Sequence, residues 1–315
     1  MMRVSVLSPL LLSASLVMAC ADPSAQDDCQ ANPTPVTGVD GGVACGQPFA
    51  LNPEDGVRDR FAVKVVQYLH MSSAGLVETD TLASAIGWAE FVHEPGALSG
   101  RMDLKLCHLE VPKIQIPGQP QASSLELAPG ALDYVPPPGA AYAVSGSSTC
   151  DSFVTDPNVV LVAARLVNDL SDPLPTDVVT QTCANEMDTE CLFDQDRDGK
   201  PAVTFIARNF PAINVDEVYA TLRSWVAMDG LVATPDLILG TAYFGLEISA
   251  VGCRIEPLGG GEERECNAEE ADVIASITPV VSQTPDVDST FVAVRVDRTT
   301  NCDDVIEHAD RLFGR

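Results

Sequence analysis

Asp194-Gln-Asp196-Arg-Asp198-Gly199-Lys200 is the stretch whose residue types and spacing could do chemistry. Three carboxylates at alternate positions can converge on one cation. Gly199 permits the sharp turn that convergence needs, and Lys200 would offer its backbone carbonyl rather than its ammonium. Hard oxygen donors favour Ca²⁺ over softer metals. Asp194, Asp196, Asp198 and Lys200 are therefore candidate ligands of a structural Ca²⁺ ion. Without an ion, the same residues would form a solvated Asp-Gly turn, stiffened by a bridge between Cys183 and Cys191.

The pattern resembles the DxDxDG loop of EF-hands, dockerins and thrombospondin type 3 repeats, over seven to twelve residues. The resemblance implies a calcium loop but not an EF-hand pair. Phe205 stands where an EF-hand supplies its bidentate glutamate, and the segment after Pro201 reads as a strand rather than an exiting helix. A missing carboxylate must come from elsewhere, with Asp188 or Glu190 nearest in sequence.

No other stretch carries comparable chemistry. The sequence has no GxSxG elbow, no HExxH pair and no phosphate-cradling GxxxxGK[ST] loop. His70, His93, His108 and His308 are scattered, and His70 and His108 lie in strand-like segments that suit structural histidines. Acidic pairs are too numerous to single out a general acid and base. Trp88, Trp225, Tyr219 and Tyr243 read as core or sheet residues, and 259–265 as an acidic, glycine-rich hairpin tip.

The address is written at the start of the chain. Arg3 precedes an apolar stretch that ends in Val17-Met18-Ala19-Cys20, a secretory signal too short to span a bilayer. It resembles the lipobox of bacterial lipoproteins, which implies removal of residues 1–19, acylation of Cys20 with palmitate-type chains, and anchoring to the cell envelope. Ala21 rather than an aspartate follows the cysteine, which points to the outer rather than the inner membrane. Residues 20–47 are too poor in large apolar side chains to order themselves and read as a flexible tether. The best other apolar stretch, 231–251, is broken by Pro235, Asp236 and Glu247, leaving the lipid as the expected membrane contact.

Acidic residues outnumber basic ones 45 to 18, for a net charge of −27. Such a surface repels nucleic acid and anionic head groups. Nine cysteines follow Cys20, with no CxxC spacing, so in an exported chain they read as disulfides. Cys183–Cys191 and Cys253–Cys266 bracket short polar segments, Cys107–Cys150 could clasp a proline-rich excursion, and Cys45–Cys302 could join the two ends of the body.

The remaining elements must position these residues. Residues 61–69, 102–111, 159–167, 203–207, 242–251, 273–281 and 290–296 read as strands, separated by proline and glycine clusters. Residues 218–226 fit either a helix face or a strand, and their β-rich composition favours strand. Residues 302–313 read as a helix capped by Asn301. The sequence thus predicts a mainly β body over 48–315, an antiparallel sandwich or barrel with a short C-terminal helix. A faint repeat of Gly-Leu-Val at 75 and 230 suggests two similar halves, 48–170 and 171–315. A non-enzymatic binding or structural role is expected. A carrier enclosing an apolar ligand, or a hydrolase built from distant loops, stays open.

Overall fold

The computed structural model describes residues 59–314 except 74–76, 95–96, 111–112, 114–119, 146–150, 210–213, 257–261, 279 and 285–286. Cys20, the 20–47 tether, Cys29, Cys45, Cys150 and residues 259–261 of the 259–265 tip lie outside the described residues. The strands in chain order are β1 (Asp59–Ser73), β2 (Val77–Val92), β3 (Ser99–Glu110), β4 (Ser124–Leu127), β5 (Gly139–Ser145), β6 (Asp151–Thr155), β7 (Asn158–Val162) and β8 (Ala164–Arg165). They continue with β9 (Cys191–Leu192), β10 (Val203–Arg208), β11 (Val215–Thr234), β12 (Leu237–Ile255), β13 (Arg264–Glu265), β14 (Val280–Gln283) and β15 (Ser289–Val296). Among the described residues the helices are α1 (Val178–Gln181), α2 (Ala268–Ile277), α3 (Cys302–Glu307) and α4 (Ala309–Phe313). Among the described residues strand outweighs helix, 57% to 11%, so the fold is mainly β.

Eight strands close on themselves. β1 pairs β2, then β3, β5, β6, β11, β12 and β15 follow in turn, and β15 returns to β1, every ladder antiparallel. Closure removes sheet edges. Alternation sets which side chains enter: β5 reads exposed-buried throughout, with Tyr142 and Val144 inward. Phe61, Phe91, Tyr142, Phe153 and Phe291 meet in the lumen with centroid separations of 4.9–6.2 Å. Gly230 lies opposite Gly240, and a Cβ on Gly230 would come within 2.9 Å of Phe291 Cζ, so the missing side chain makes room for that ring. The lumen is a packed core.

The β11–β12 hairpin outruns the barrel. Twenty residues at ~3.3 Å each carry β11 about 60 Å. Its outer edge is used in series, by β10 at 217–220, β7 at 222–226 and β6 at 229–232. Beyond the barrel, β4, β10, β11, β12 and β13 form a second lobe, in which Phe205, Val218, Leu222, Ile255 and Ile274 share a separate core. Strands from both sides of residue 170 interleave, since β11 pairs with β6 and β7 and β1 pairs with β14 and β15.

Several expectations are corrected. Residues 273–281 are not one strand: α2 occupies 268–277 and only 280–283 is extended. The cause is a capping box, in which Asn267 accepts from the Glu270 N–H and Glu270 accepts from the Asn267 N–H. Residues 159–167 break at Ala163, whose φ of 60° turns the chain so that β8 leaves β7 and pairs β9. The C-terminal helix divides at His308 into α3 and α4, which pack Val305 and Leu312 on Ile86 and Val294 outside the barrel.

Two disulfides pin the second lobe, Cys183–Cys191 and Cys253–Cys266. Cys107 does not pair with Cys150, nor Cys302 with Cys45. Instead, Cys107 on β3 bridges Cys302 at the start of α3, with 5.1 Å between Cα atoms, because α3 lies against β2 and β3. Among the described residues no cysteine is free.

Candidate metal centre

The loop 194–199 joins β9 to β10 in the second lobe. Asp194, Asp196 and Asp198 each bring a carboxylate oxygen within 4.8 Å of the others, close enough to hold a metal ion. Asp194 and Asp198 are exposed and Asp196 is half-buried. Short hydrogen bonds shape the loop: the Gly199 N–H donates to Asp194 Oδ2 at 3.0 Å and the Lys200 N–H to Asp198 Oδ1 at 2.8 Å. Gly199 adopts φ 82°, the left-handed turn expected of it.

Thr204, at the start of β10, ties the loop to the sheet. Its N–H donates to Asp196 Oδ2 at 2.9 Å and its hydroxyl to Asp198 Oδ2 at 2.6 Å. Asp196 Oδ1 is buried and has no hydrogen-bond partner. Burial is the largest influence on this carboxyl and raises its pKa; the Thr204 amide opposes that rise, and the charges of Asp198 and Asp194 add to it. A divalent cation among these oxygens would relieve the repulsion and supply the partner that Oδ1 lacks.

The residues between the aspartates face the other way. Gln195 is 5% exposed; its Oε1 accepts from the Ala163 N–H at 3.2 Å and its Nε2 donates to the Tyr134 carbonyl at 2.9 Å. Arg197 stacks on the Tyr134 ring, 4.2 Å from its centroid. Lys200 directs its ammonium to Glu265 and over the Tyr219 ring, away from ligand duty. Phe205 lies in the second core at 1% exposure and supplies no ligand.

Neither neighbouring acid completes the set. Asp188 spends its oxygens on the Ala184 and Asn185 N–H groups and the Asn185 side chain, which lower its pKa, the Asn185 amide most. The metal-capable group among the described residues contains neither Asp188 nor Glu190. Ca²⁺ takes six to eight oxygens, so carbonyls and water would complete the shell.

Gln195, Thr204 and Tyr134 are the participants that sequence reasoning missed. Thr204 carried no signal apart from its strand. Gln195 sits at an in-between position of the motif, where side chains point away from the ligand centre, and that alternation could have marked it.

The histidines do not gather. His70 bridges Asp80 at 2.8 Å and Glu78 at 3.5 Å on the exposed β1–β2 hairpin, and the Asp80 hydrogen bond raises its pKa. His308 bonds the Asp304 carbonyl at the end of α3. His93 is buried with Nδ1 unpartnered, while His108 is exposed on β3.

Among the described residues, no helix is long and apolar enough to cross a membrane. Comparison of the chain with protein-family models, with curated proteins and with solved structures found no match.

Proposed function

We propose that this chain is an exported lipoprotein of the bacterial envelope, acylated at Cys20, with a non-enzymatic binding or structural role and a second lobe stabilised by Ca²⁺. The observation that carries the calcium reading is the convergence of Asp194, Asp196 and Asp198 around a buried carboxylate oxygen without a donor. The lipobox-like leader supports the address. The packed lumen argues for a scaffold: a carrier would need the interior that Phe61, Phe91, Phe153 and Phe291 occupy.

The test is the melting temperature with Ca²⁺, with Mg²⁺ and with chelator. An ion that binds only the folded state stabilises it by about 2.7 kcal/mol at a hundredfold excess over Kd. Ca²⁺ should raise the melting temperature more than Mg²⁺, which demands tighter octahedral geometry and gives up water reluctantly. General screening of a −27 charge would act on any variant. A Ca²⁺ shift that survives in Asp196→Ala would therefore reduce the loop to a turn. The address is tested separately: Cys20→Ser should move the protein out of the membrane fraction, and continued membrane association would refute the lipid anchor.

A further inference from the structure

Two strand edges border a groove of about 430 Å³ between the barrel and the second lobe. One belongs to β3 where it outruns the closed part of the barrel. β5 covers its outer edge only as far as Asp103, and the Leu104 N–H goes to the Pro138 carbonyl. Over 106–110, β3 pairs with β2 on one side and with no described strand on the other. The second edge is β4, which ends the sheet. In an antiparallel ladder, alternate residues turn their N–H and C=O toward the partner strand. The Ala128 N–H donates to the Thr204 carbonyl of β10, so Glu126 shares that orientation, and Leu125 and Leu127 turn their groups to the other edge. Among the described contacts no hydrogen bond reaches those groups. An uncovered edge of this kind is a template for a further strand.

The groove's chemistry selects the occupant. Leu125, Leu127 and Leu132 give it an apolar floor continuous with the second core. Glu110, Glu126 and Asp133 line it as exposed carboxylates, against Lys113 as the one lysine or arginine of the lining. Among the described contacts, Glu110 and Glu126 accept only from the hydroxyls of Ser84 and Ser124. This chain offers them no complement: residues 20–57 contain no lysine or arginine, and a net charge of −27 opposes a second copy. We propose that the groove between β3 and β4 binds an extended cationic peptide segment of a partner protein, which adds a strand between the two edges. Its backbone takes up the groups of Leu125 and Leu127. Apolar side chains on one face of the strand enter the floor, and lysines or arginines on the other meet Glu110 and Glu126. The groove alone carries this, so its failure would leave the calcium and lipid readings untouched.

The probe is a fluorescent octapeptide of alternating lysine and valine, titrated into the full chain at low salt. Binding should weaken as salt is added. It should fall about fivefold in Glu110→Gln/Glu126→Gln, which alters two exposed side chains and leaves the fold intact. The same peptide N-methylated at every valine keeps its charge but has one edge blocked, and it should not bind. Residue-resolved hydrogen exchange reads the strand itself: the peptide should slow Leu125 and Leu127 and leave Glu126, already bonded to β10, unchanged. No binding, equal binding of the methylated peptide, or equal binding of a glutamate–valine peptide would overturn the proposal. So would slow exchange at Leu125 and Leu127 without peptide, which would mean that the chain fills its own groove. Self-association that competes with the peptide would make a second copy the occupant and overturn it as well.

Discussion

The barrel and the second lobe keep their shape by different means. In the barrel, closure leaves no strand edge, and five aromatic rings fill the lumen. In the second lobe, β4 and β13 end the sheet, two disulfides clamp loops, and polar pins such as Gln195 and Thr204 fix an acidic loop. Where the sheet closes, apolar burial is joined by the Cys107–Cys302 bridge from β3 to α3 and by the Arg295–Asp59 ion pair between β15 and β1. Where it stays open, the chain adds local disulfides and an acidic loop able to hold a metal ion, and such an ion would be the staple that solution conditions can remove.

The largest effect that can break this comparison is a cavity in the barrel. Phe153 is 1% exposed, and its ring lies 5.9–6.2 Å from those of Phe91, Tyr142 and Phe291. Phe153→Ala should cost about 3–5 kcal/mol in urea unfolding, by the same amount with Ca²⁺ or chelator. A cost that depends on Ca²⁺ would mean the two regions are not separable.

A smaller effect sits in the second lobe. Asn267→Ala removes the α2 cap and should cost about 1 kcal/mol. Because Ile274 of α2 joins the second core, hydrogen exchange should quicken in β12 and β13 and stay unchanged in β1 and β2. Quickening spread evenly over the barrel would contradict the division.

The smallest effect is a pH dependence that sharpens the account of the loop. Unfolded, Asp196 releases its proton near 3.8, whereas in the metal-free fold its pKa is raised, mainly by burial. Between those values the folded state binds more protons, so this group's contribution falls as pH rises. In chelator, Asp196→Asn should therefore gain stability relative to wild type as pH rises from about 4 toward 7. With Ca²⁺ bound the sign should reverse, because the ion needs the carboxylate charged. Parallel pH curves for the two proteins in chelator would show that the loop carries no such tension.

Sequence pattern made the strands legible wherever one face is buried and the other is not. The alternation of 102–110 is a case of it, whereas 218–226 reads as strand from its composition and is buried on both faces over 218–222. Ring closure was not legible, because it depends on β15 meeting both β1 and β12, pairings separated by long stretches of chain. Residues 273–281 carry strand formers at Val273, Ile274 and Ile277, but the Asn267–Glu270 capping box just upstream starts a helix that runs through them. Cys107–Cys302 was hidden for the same reason as closure: sequence separation of 195 says nothing about which outer face a helix will cover. The aspartate motif was legible because ligand spacing is local. Its supports at Tyr134 and Ala163 were not, because they are tertiary.

The central claim is that Ca²⁺ at Asp194, Asp196 and Asp198 stabilises the second lobe and leaves the barrel to its own packing. Amide hydrogen exchange of the whole chain, in Ca²⁺ and in chelator, tests it most directly. The account predicts slower exchange with Ca²⁺ at 128–135, 163, 193–206 and the adjoining part of β11, with β1, β2, β3 and β15 unchanged. Equal slowing across all strands, or none at the aspartate loop, would contradict it.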